Sequence, residues 1–475
     1  MISNFLKREG FDYISNFYRY KLYDKETRHY LITTDDSNSL FLNSSSFRQL
    51  KKGVISSENL YTILEEKGVI VTTNNFNNIV QGFKKRYSFI ASGTSLHIVV
   101  PTHRCNMGCI YCFANSPEID NKTIADMTDE TAIEVVEFIM KSPSELITIE
   151  FQGGEPLVAF NKIKLMVNHA KKLNNVYKKD LHLTVVSNFT LMTEEIANWF
   201  IDNNVSLCTS LDGPKELHNK NRPILAKNQI EIGTHDKVAY WIKKINSIYA
   251  KKGINENINA LMTITKNSLP YYKEIIDEYV KFGIYMVDIR SLTKIGRAEE
   301  NGDDIYYSDE EFLDFYKKSL AYIDTLRSAG IFVEDRIREL YYTKVLERKP
   351  GFHTDYESPC GAVTGNITYY VDGNIYICNE ALGKEEFKVG SIKENWQDIF
   401  NKKETAQTIL NSLLENNVMC DRCVYKPFCG TCQVENLENL GKFNFYPTKT
   451  ARCHQTKFHA KNIYDKILNQ LKKDM

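Results

Sequence analysis

The sequence has no excess of either charge: Lys and Arg together number 60, and so do Asp and Glu. A balanced chain has no basic field with which to gather phosphates, so neither nucleic acid nor a membrane surface is an expected partner. No run of about 18 apolar residues occurs, so no transmembrane helix is expected. The opening MISNFLKREGFDYISNFYRY holds no apolar segment of signal-peptide length. The cytoplasm is therefore the expected compartment. Internal repeats and low-complexity linkers are absent too. Cysteine, in contrast, is plentiful at eleven residues. In a reducing compartment that number points to metal or catalysis rather than disulfides.

The 475 residues suggest about three domains at roughly 150 residues each. Residues 1–90 read as one unit. HYLITTDDSNSLFLN gives two strands around a polar turn. SSSFRQLKKG, with serines as possible caps and Gly53 as stop, gives a helix, and SSENLYTILEEKGVIV a helix running into a strand. Helix, helix and strand beside a hairpin suggest a winged-helix-like module, or an extension that only packs on the main domain. Residues 95–300 alternate strand and helix through SLHIVV, LITIEF, LHLTVV, VSLCTS, NALMTIT and YMVDIR. Six such strands with helices between them predict a parallel sheet in an α/β fold. The polar stretches fall at the carboxyl ends of these strands, where such folds build sites. A helical, Tyr-rich bridge over 301–355 leads to a cysteine-rich region, 356–475.

The stretch HRCNMGCIYCFA, residues 103–114, places Cys105, Cys109 and Cys112 at C-x3-C-x2-C directly after a strand. Three soft thiolates on one short loop can wrap an iron–sulfur cube and leave one iron open for a ligand. A zinc site completed by His103, or plain buried cysteines, are the alternatives.

With Tyr111 before the last cysteine and GGEP, Gly153 to Pro156, after the second strand, residues 95 to about 300 resemble the radical S-adenosylmethionine (SAM) superfamily. The resemblance implies a partial (β/α)6 barrel, a 4Fe–4S cluster on the three cysteines, and SAM chelated to the vacant iron and cleaved to a 5′-deoxyadenosyl radical. It implies cofactor-binding roles for Gly153, Gly154, Glu155, Pro156, Ser187, Asn188, Ser210, Arg222 and Leu292. The two glycines would admit SAM close to the backbone. Glu155 can accept from the amino group of SAM or cap the next helix. Arg222 can pair with the SAM carboxylate or lie on the surface. Ser187, Asn188, Ser210 and Asp212 can contact cofactor or substrate, or cap turns. Leu292 lies where relatives hold adenine by backbone. Asp212 and Tyr111 are the candidates for catalysis, and Cys208, inside VSLCTS, reads as a core residue.

Beyond the barrel, CDRCVYKPFCGTC gives C-x2-C-x5-C-x2-C. A zinc ribbon has this outline, but its central spacer is longer. The pattern resembles the SPASM domain of radical SAM peptide maturases, which binds auxiliary iron–sulfur clusters. By that resemblance Cys420, Cys423, Cys429 and Cys453 hold an outer cluster and Cys360, Cys378 and Cys432 an inner one, both expected to be 4Fe–4S. The gap before Cys432 is two residues where three is common. The inner set is one thiolate short, since GFHTDYESPC lacks the upstream cysteine of the sulfatase maturases. The inner cluster is expected to have an open iron, or to borrow His353, Asp355 or Glu357.

ITIEFQGGEPL, TSLDGPKELHNKNRP and ALMTITKNSLPYYKEIIDEYVKFG resemble the maturases of His-Xaa-Ser peptide systems and cyclophane-forming maturases. The implied activity is radical oxidation of a ribosomally made precursor peptide, forming a C–C or thioether cross-link between side chains. The N-terminal module would hold the leader by adding a strand to a sheet edge, and flavodoxin or ferredoxin would supply electrons. The alternatives are a formylglycine-forming sulfatase maturase, a peptide epimerase, an iron–sulfur electron-transfer protein and a zinc-stabilised interaction protein.

Overall fold

The computed structural model describes residues 13–121, 126–226, 229–231, 233–351, 354–443 and 450–474. At the N-terminal end β1 (Tyr18–Asp24), β2 (His29–Thr34) and β3 (Ser39–Leu42) form an antiparallel sheet with β2 in the middle. Leu31 and Ile32 of β2 are fully buried. Consecutive strand residues point to opposite faces, so each serves a different core. Ile32 packs with Phe47, Leu50, Leu60 and Leu64. Those come from α1 (Ser44–Lys52) and α2 (Glu58–Glu66). Leu31 packs with Tyr341, Phe428 and Tyr464 of the C-terminal half. The cap of α1 is Asn43, not the serines after it: its side chain accepts from Ser46 N, and Gly53 ends the helix at φ 68°. Ile70–Val71 then pairs with Ile14–Ser15, and α3 (Phe76–Ala91) leads to the barrel.

The barrel strands are β4 (Leu96–Val99), β5 (Leu146–Phe151), β6 (Asp180–Val186), β7 (Val205–Ser210) and β8 (Asn259–Leu261), all parallel and in that spatial order. Between them run α4 (Asp129–Met140), α5 (Phe160–Tyr177), α6 (Glu194–Asp202), α7 (Lys215–Asn221) and α8 (Thr234–Lys252), with α9 (Tyr272–Lys281) after β8. Alternation along β5 sends Ile147, Ile149 and Phe151 into the core under the helices. Register places Val99 beside Phe151 and Phe151 beside Val185. The strand ends are therefore level, and the loops that follow them share one rim. Cys208 differs from the expectation of a core residue. It is half-buried on the face opposite Val205 and Leu207, with Glu150 among its neighbours.

Two expectations for the sheet are corrected. The sixth strand, β9 (Met286–Val287), is only two residues long and pairs with β10 (Glu334–Asp335) rather than extending the main ladder. The main sheet is also mixed, not parallel. On the outer edge of β4 lies β11 (Asn366–Tyr369), parallel to it, followed by antiparallel β12 (Asn374–Tyr376) and β13 (Lys388–Ser391). The physical reason is that β4 would otherwise leave a row of backbone groups unpaired. The cysteine-rich region supplies the partner strands, with Gly373 at φ 81° turning the β11–β12 hairpin.

The bridge holds α10 (Asp309–Ser328), started by a Ser308/Glu311 capping box, and α11 (Arg336–Tyr342). The C-terminal region adds α12 (Lys403–Ser412), α13 (Gln433–Leu440) and α14 (Ala451–Asp474). No helix among the described residues is long and apolar enough to cross a membrane.

The N-terminal sheet is clamped to the C-terminal region by charge. Arg19, with its side chain 1% exposed, lies 2.7 Å from Asp35 and 3.0 Å from Asp421. Lys426 reaches the same two carboxylates at 3.2 and 3.1 Å. Removing one buried cation leaves the carboxylates undercompensated. Arg19→Ala should cost about 3 kcal/mol of unfolding free energy by chemical denaturation. A loss below about 1 kcal/mol, the ordinary surface-pair value, would contradict this account of the clamp.

Candidate functional site

The cysteine loop leaves β4 and is held from several sides. Cys105 N donates to Pro117 O at 2.9 Å, Gly108 N to Pro223 O at 2.9 Å and Ile110 N to Asn221 O at 3.0 Å. Arg297 donates to Ser116 O at 2.9 Å, and Asn301 to Ile110 O at 2.7 Å. Cys105 and Cys109 are buried and Cys112 is half-buried. Burial, with Cys109 and Glu155 beside it, pushes the Cys105 thiol up. Burial also takes Cys109 to about 11, although Arg222 pulls the other way. Both ring nitrogens of His103 are engaged, with Tyr370 OH at 2.9 Å and Ala114 O at 2.8 Å. That leaves it no nitrogen with which to complete a zinc site.

The GGEP turn lies against this loop rather than apart from it. Gly154 N donates to Thr102 O at 3.1 Å and Glu155 N to Arg104 O at 2.9 Å. A Cβ on Gly153, which sits at φ 130°, would come 2.7 Å from Thr102 O. One on Gly154 would overlap the carbonyl oxygens of His103 and Arg104. Glu155 takes the cap position: it accepts from Leu157 N at 3.0 Å, at the start of the Pro156–Ala159 turn. It also accepts from Ser187 Oγ at 2.7 Å and Asn188 N at 2.8 Å. Burial raises its pKa, and these donors oppose the rise.

Asn188 donates to Asn106 Oδ1 at 3.0 Å, and Asn106 donates to Thr190 Oγ1 at 2.7 Å. Sequence reasoning missed Asn106 and Thr190. The signal was a buried asparagine placed directly after the first loop cysteine. Ser210 ends β7, where it pairs with Leu261. Beyond it Tyr111 OH donates to both oxygens of Asp212 at 2.8 Å, and Arg222 donates to Tyr111 OH at 2.6 Å. The two catalytic candidates, both buried, and half-buried Arg222 thus form one trio. Leu292 packs beside the cysteine loop, and its N–H donates to Tyr307 OH at 2.6 Å. Only its carbonyl remains for a ligand.

The seven C-terminal cysteines fall into two groups. Burial raises Cys420 first, and then Cys429, Cys423 and Cys453 beside it. Burial raises Cys378, followed by Glu380 and Cys360. Cys432 is raised by burial and Glu380, with Cys378 also near. Cys420, Cys423, Cys429 and Cys453 thus lie together, as do Cys360, Cys378 and Cys432. Among the borrowed ligands considered for the second group, Asp355 accepts from Arg452 at 2.9 Å and Glu357 pairs with Lys344 at 3.0 Å. His353 lies outside the described residues. Among those residues, no three Cys, His, Asp or Glu side chains close to the spacing of a single ion. What each group offers is a set of soft thiols, buried or half-buried, the donors an iron–sulfur cube takes.

Residues 99–251 match the Radical SAM superfamily. The chain carries a radical SAM domain and is an enzyme. It is 27% identical to a cysteine-type anaerobic sulfatase-maturating enzyme of Clostridium novyi, over 70% of this chain and 86% of that one. It is 25% identical to the radical SAM cyclopropyl synthase TigE of Paramaledivibacter caminithermalis, over 67% of this chain and 65% of that one. The chain spans 59% of the length of a further curated relative, 28% identical. The fold is shared with native anSMEcpe with bound AdoMet and Cp18Cys peptide (TM-score 0.64, 19% identity, 79% of this chain and 99% of that one). It is also shared with Streptococcus suis SuiB bound to precursor peptide SuiA (TM-score 0.57, 13% identity, 92% and 100%).

The superfamily implies SAM and a 4Fe–4S cluster, and the three thiols of the clamped loop are a donor set that fits the cluster. The loop's shape depends on the missing side chain at Gly154. Gly154→Ala should therefore reduce the iron bound on anaerobic reconstitution by about four atoms, one cube. Cys208→Ala should leave iron unchanged. An undiminished iron content in Gly154→Ala would contradict the dependence.

Proposed function

We propose that this enzyme oxidatively modifies a ribosomally made precursor peptide, forming a cross-link at an unactivated carbon of a side chain. The observation that carries this reading is the joining of the three-thiol loop and the stretch that bears Cys360 and Cys378 through a single sheet, in which β11 continues the barrel at the edge of β4. In this reading Cys105, Cys109 and Cys112 hold the SAM-binding cluster. Cys420, Cys423, Cys429 and Cys453 hold an outer auxiliary cluster, and Cys360, Cys378 and Cys432 an inner one. Bound there, cluster and SAM would supply a 5′-deoxyadenosyl radical for hydrogen abstraction. The auxiliary groups would take up the electron released when the new bond closes, and flavodoxin or ferredoxin would serve as donor.

The chain's own residues orient the reaction. The Gly153–Gly154 turn and Ser187, Asn188 and Ser210 line the rim at the level strand ends, and Glu155 fixes the rim from beneath. Arg222 presents its charge beside Tyr111 and Asp212, where burial raises the Asp212 carboxyl and Arg222 opposes the rise. A cleft of about 380 Å³ lies between Phe113–Asn115 of the cysteine loop and Leu382–Lys384 after the inner group. A core peptide reaching both would pass there. For the leader, β1 is an edge strand that exposes Tyr20 (47%) and Leu22 (38%), with Phe17 (54%) before it. An added strand would cover these side chains.

Sulfatase maturation is the second reading, favoured by the relative matched over 86% of its length. Mass spectrometry of a precursor peptide co-expressed anaerobically with the enzyme separates the two. The expected result is loss of two hydrogens, absent with a Cys105/Cys109/Cys112→Ala variant, in a product inert to hydrazine. A hydrazine-reactive product would be the aldehyde of formylglycine and would favour the second reading. An unchanged mass would contradict net oxidation of that peptide.

A further inference from the structure

We infer that Glu380 is the fourth protein ligand of the inner auxiliary cluster, an inference that rests on the reading that Cys360, Cys378 and Cys432 hold one. Cys432 Sγ donates to Glu380 Oε2 at 3.3 Å. Glu380 sits two residues after Cys378, in the short turn Asn379–Ala381 that Cys378 itself opens. After burial, its charge is the largest influence on Cys378 and Cys432, and it reaches Cys360 more weakly, behind Asp355. One carboxylate therefore completes a set of four donors that otherwise counts three.

Rival carboxylates are engaged elsewhere. Asp355 is held by Arg452, and Glu357 by Lys344 and by Gly351 N at 2.6 Å. Glu435 lies 3.8 Å from Arg452, and its backbone N–H reaches Cys432 Sγ at 3.5 Å. That contact places the Cys432 sulfur at the start of α13, where the helix end favours a thiolate. Metal loading releases protons from its ligands. The proton in the Cys432–Glu380 contact would leave, and sulfur and oxygen would each take up an iron. Arg452, beside this group, offsets the added negative charge.

The test uses the full-length protein carrying Cys105/Cys109/Cys112→Ala, so that every iron bound belongs to the C-terminal groups. Reconstituted anaerobically, this parent should bind about eight irons, four per cube. The electron paramagnetic resonance spectrum of the reduced parent should not move on addition of cyanide, because no iron is open. In the same background Glu380→Ala should give a spectrum that cyanide shifts, and Glu380→Cys should be insensitive again. Restoration by cysteine separates a ligand from a residue needed only for folding. If cyanide shifts the parent as much as Glu380→Ala, the inner cluster has an open iron and Glu380 is not its ligand. A parent that binds only about four irons would instead overturn the inner cluster itself, and this inference with it.

Discussion

The site depends on the close contact between two backbones, Gly153–Gly154 and the strand-to-loop segment Thr102–Arg104. Two hydrogen bonds zip them together, and no Cβ could stand between them. Everything else at the rim is referenced to that contact. It fixes where the cysteine loop leaves β4, and so where three thiols converge. It also fixes Glu155, the next residue, whose carboxylate then gathers the start of the following turn and the end of β6. A buried carboxylate with three donors is a satisfied one, and satisfied polar groups in a dry setting hold geometry firmly.

The same economy shapes the opposite side of the loop. Tyr111 belongs to the loop, Asp212 to the end of β7 and Arg222 to the segment after α7. Their mutual hydrogen bonds tie the loop to the far strand with one charge of each sign. Arg222 is therefore a half-buried structural cation. The rim is built of groups that already satisfy one another, and a ligand enters among them.

Much of this was legible because it is local. The strands β4 to β8, the three-cysteine spacing and the glycine pair are short patterns with strong physical consequences. The grouping of seven later cysteines into four and three, by contrast, came from resemblance to the SPASM domain. What escaped was non-local. Nothing in NITYYVDGNIYIC announces that its first strand lies parallel beside Leu96–Val99, some 270 residues earlier, because pairing partners are chosen by an unfilled edge. The brevity of β9 was hidden for the same reason. Asn43 as a cap was missed because three serines followed it. Glu380 was overlooked because the missing donor was sought upstream of Cys360, by resemblance, when the backbone path brings it two residues past Cys378.

The most direct measurement of the central claim is 5′-deoxyadenosine release from SAM by the reduced, iron-loaded enzyme, with and without the loop cysteines. The account predicts steady release by the native enzyme and none by Cys105/Cys109/Cys112→Ala. Release by the variant, or silence from a fully loaded native enzyme, would contradict it.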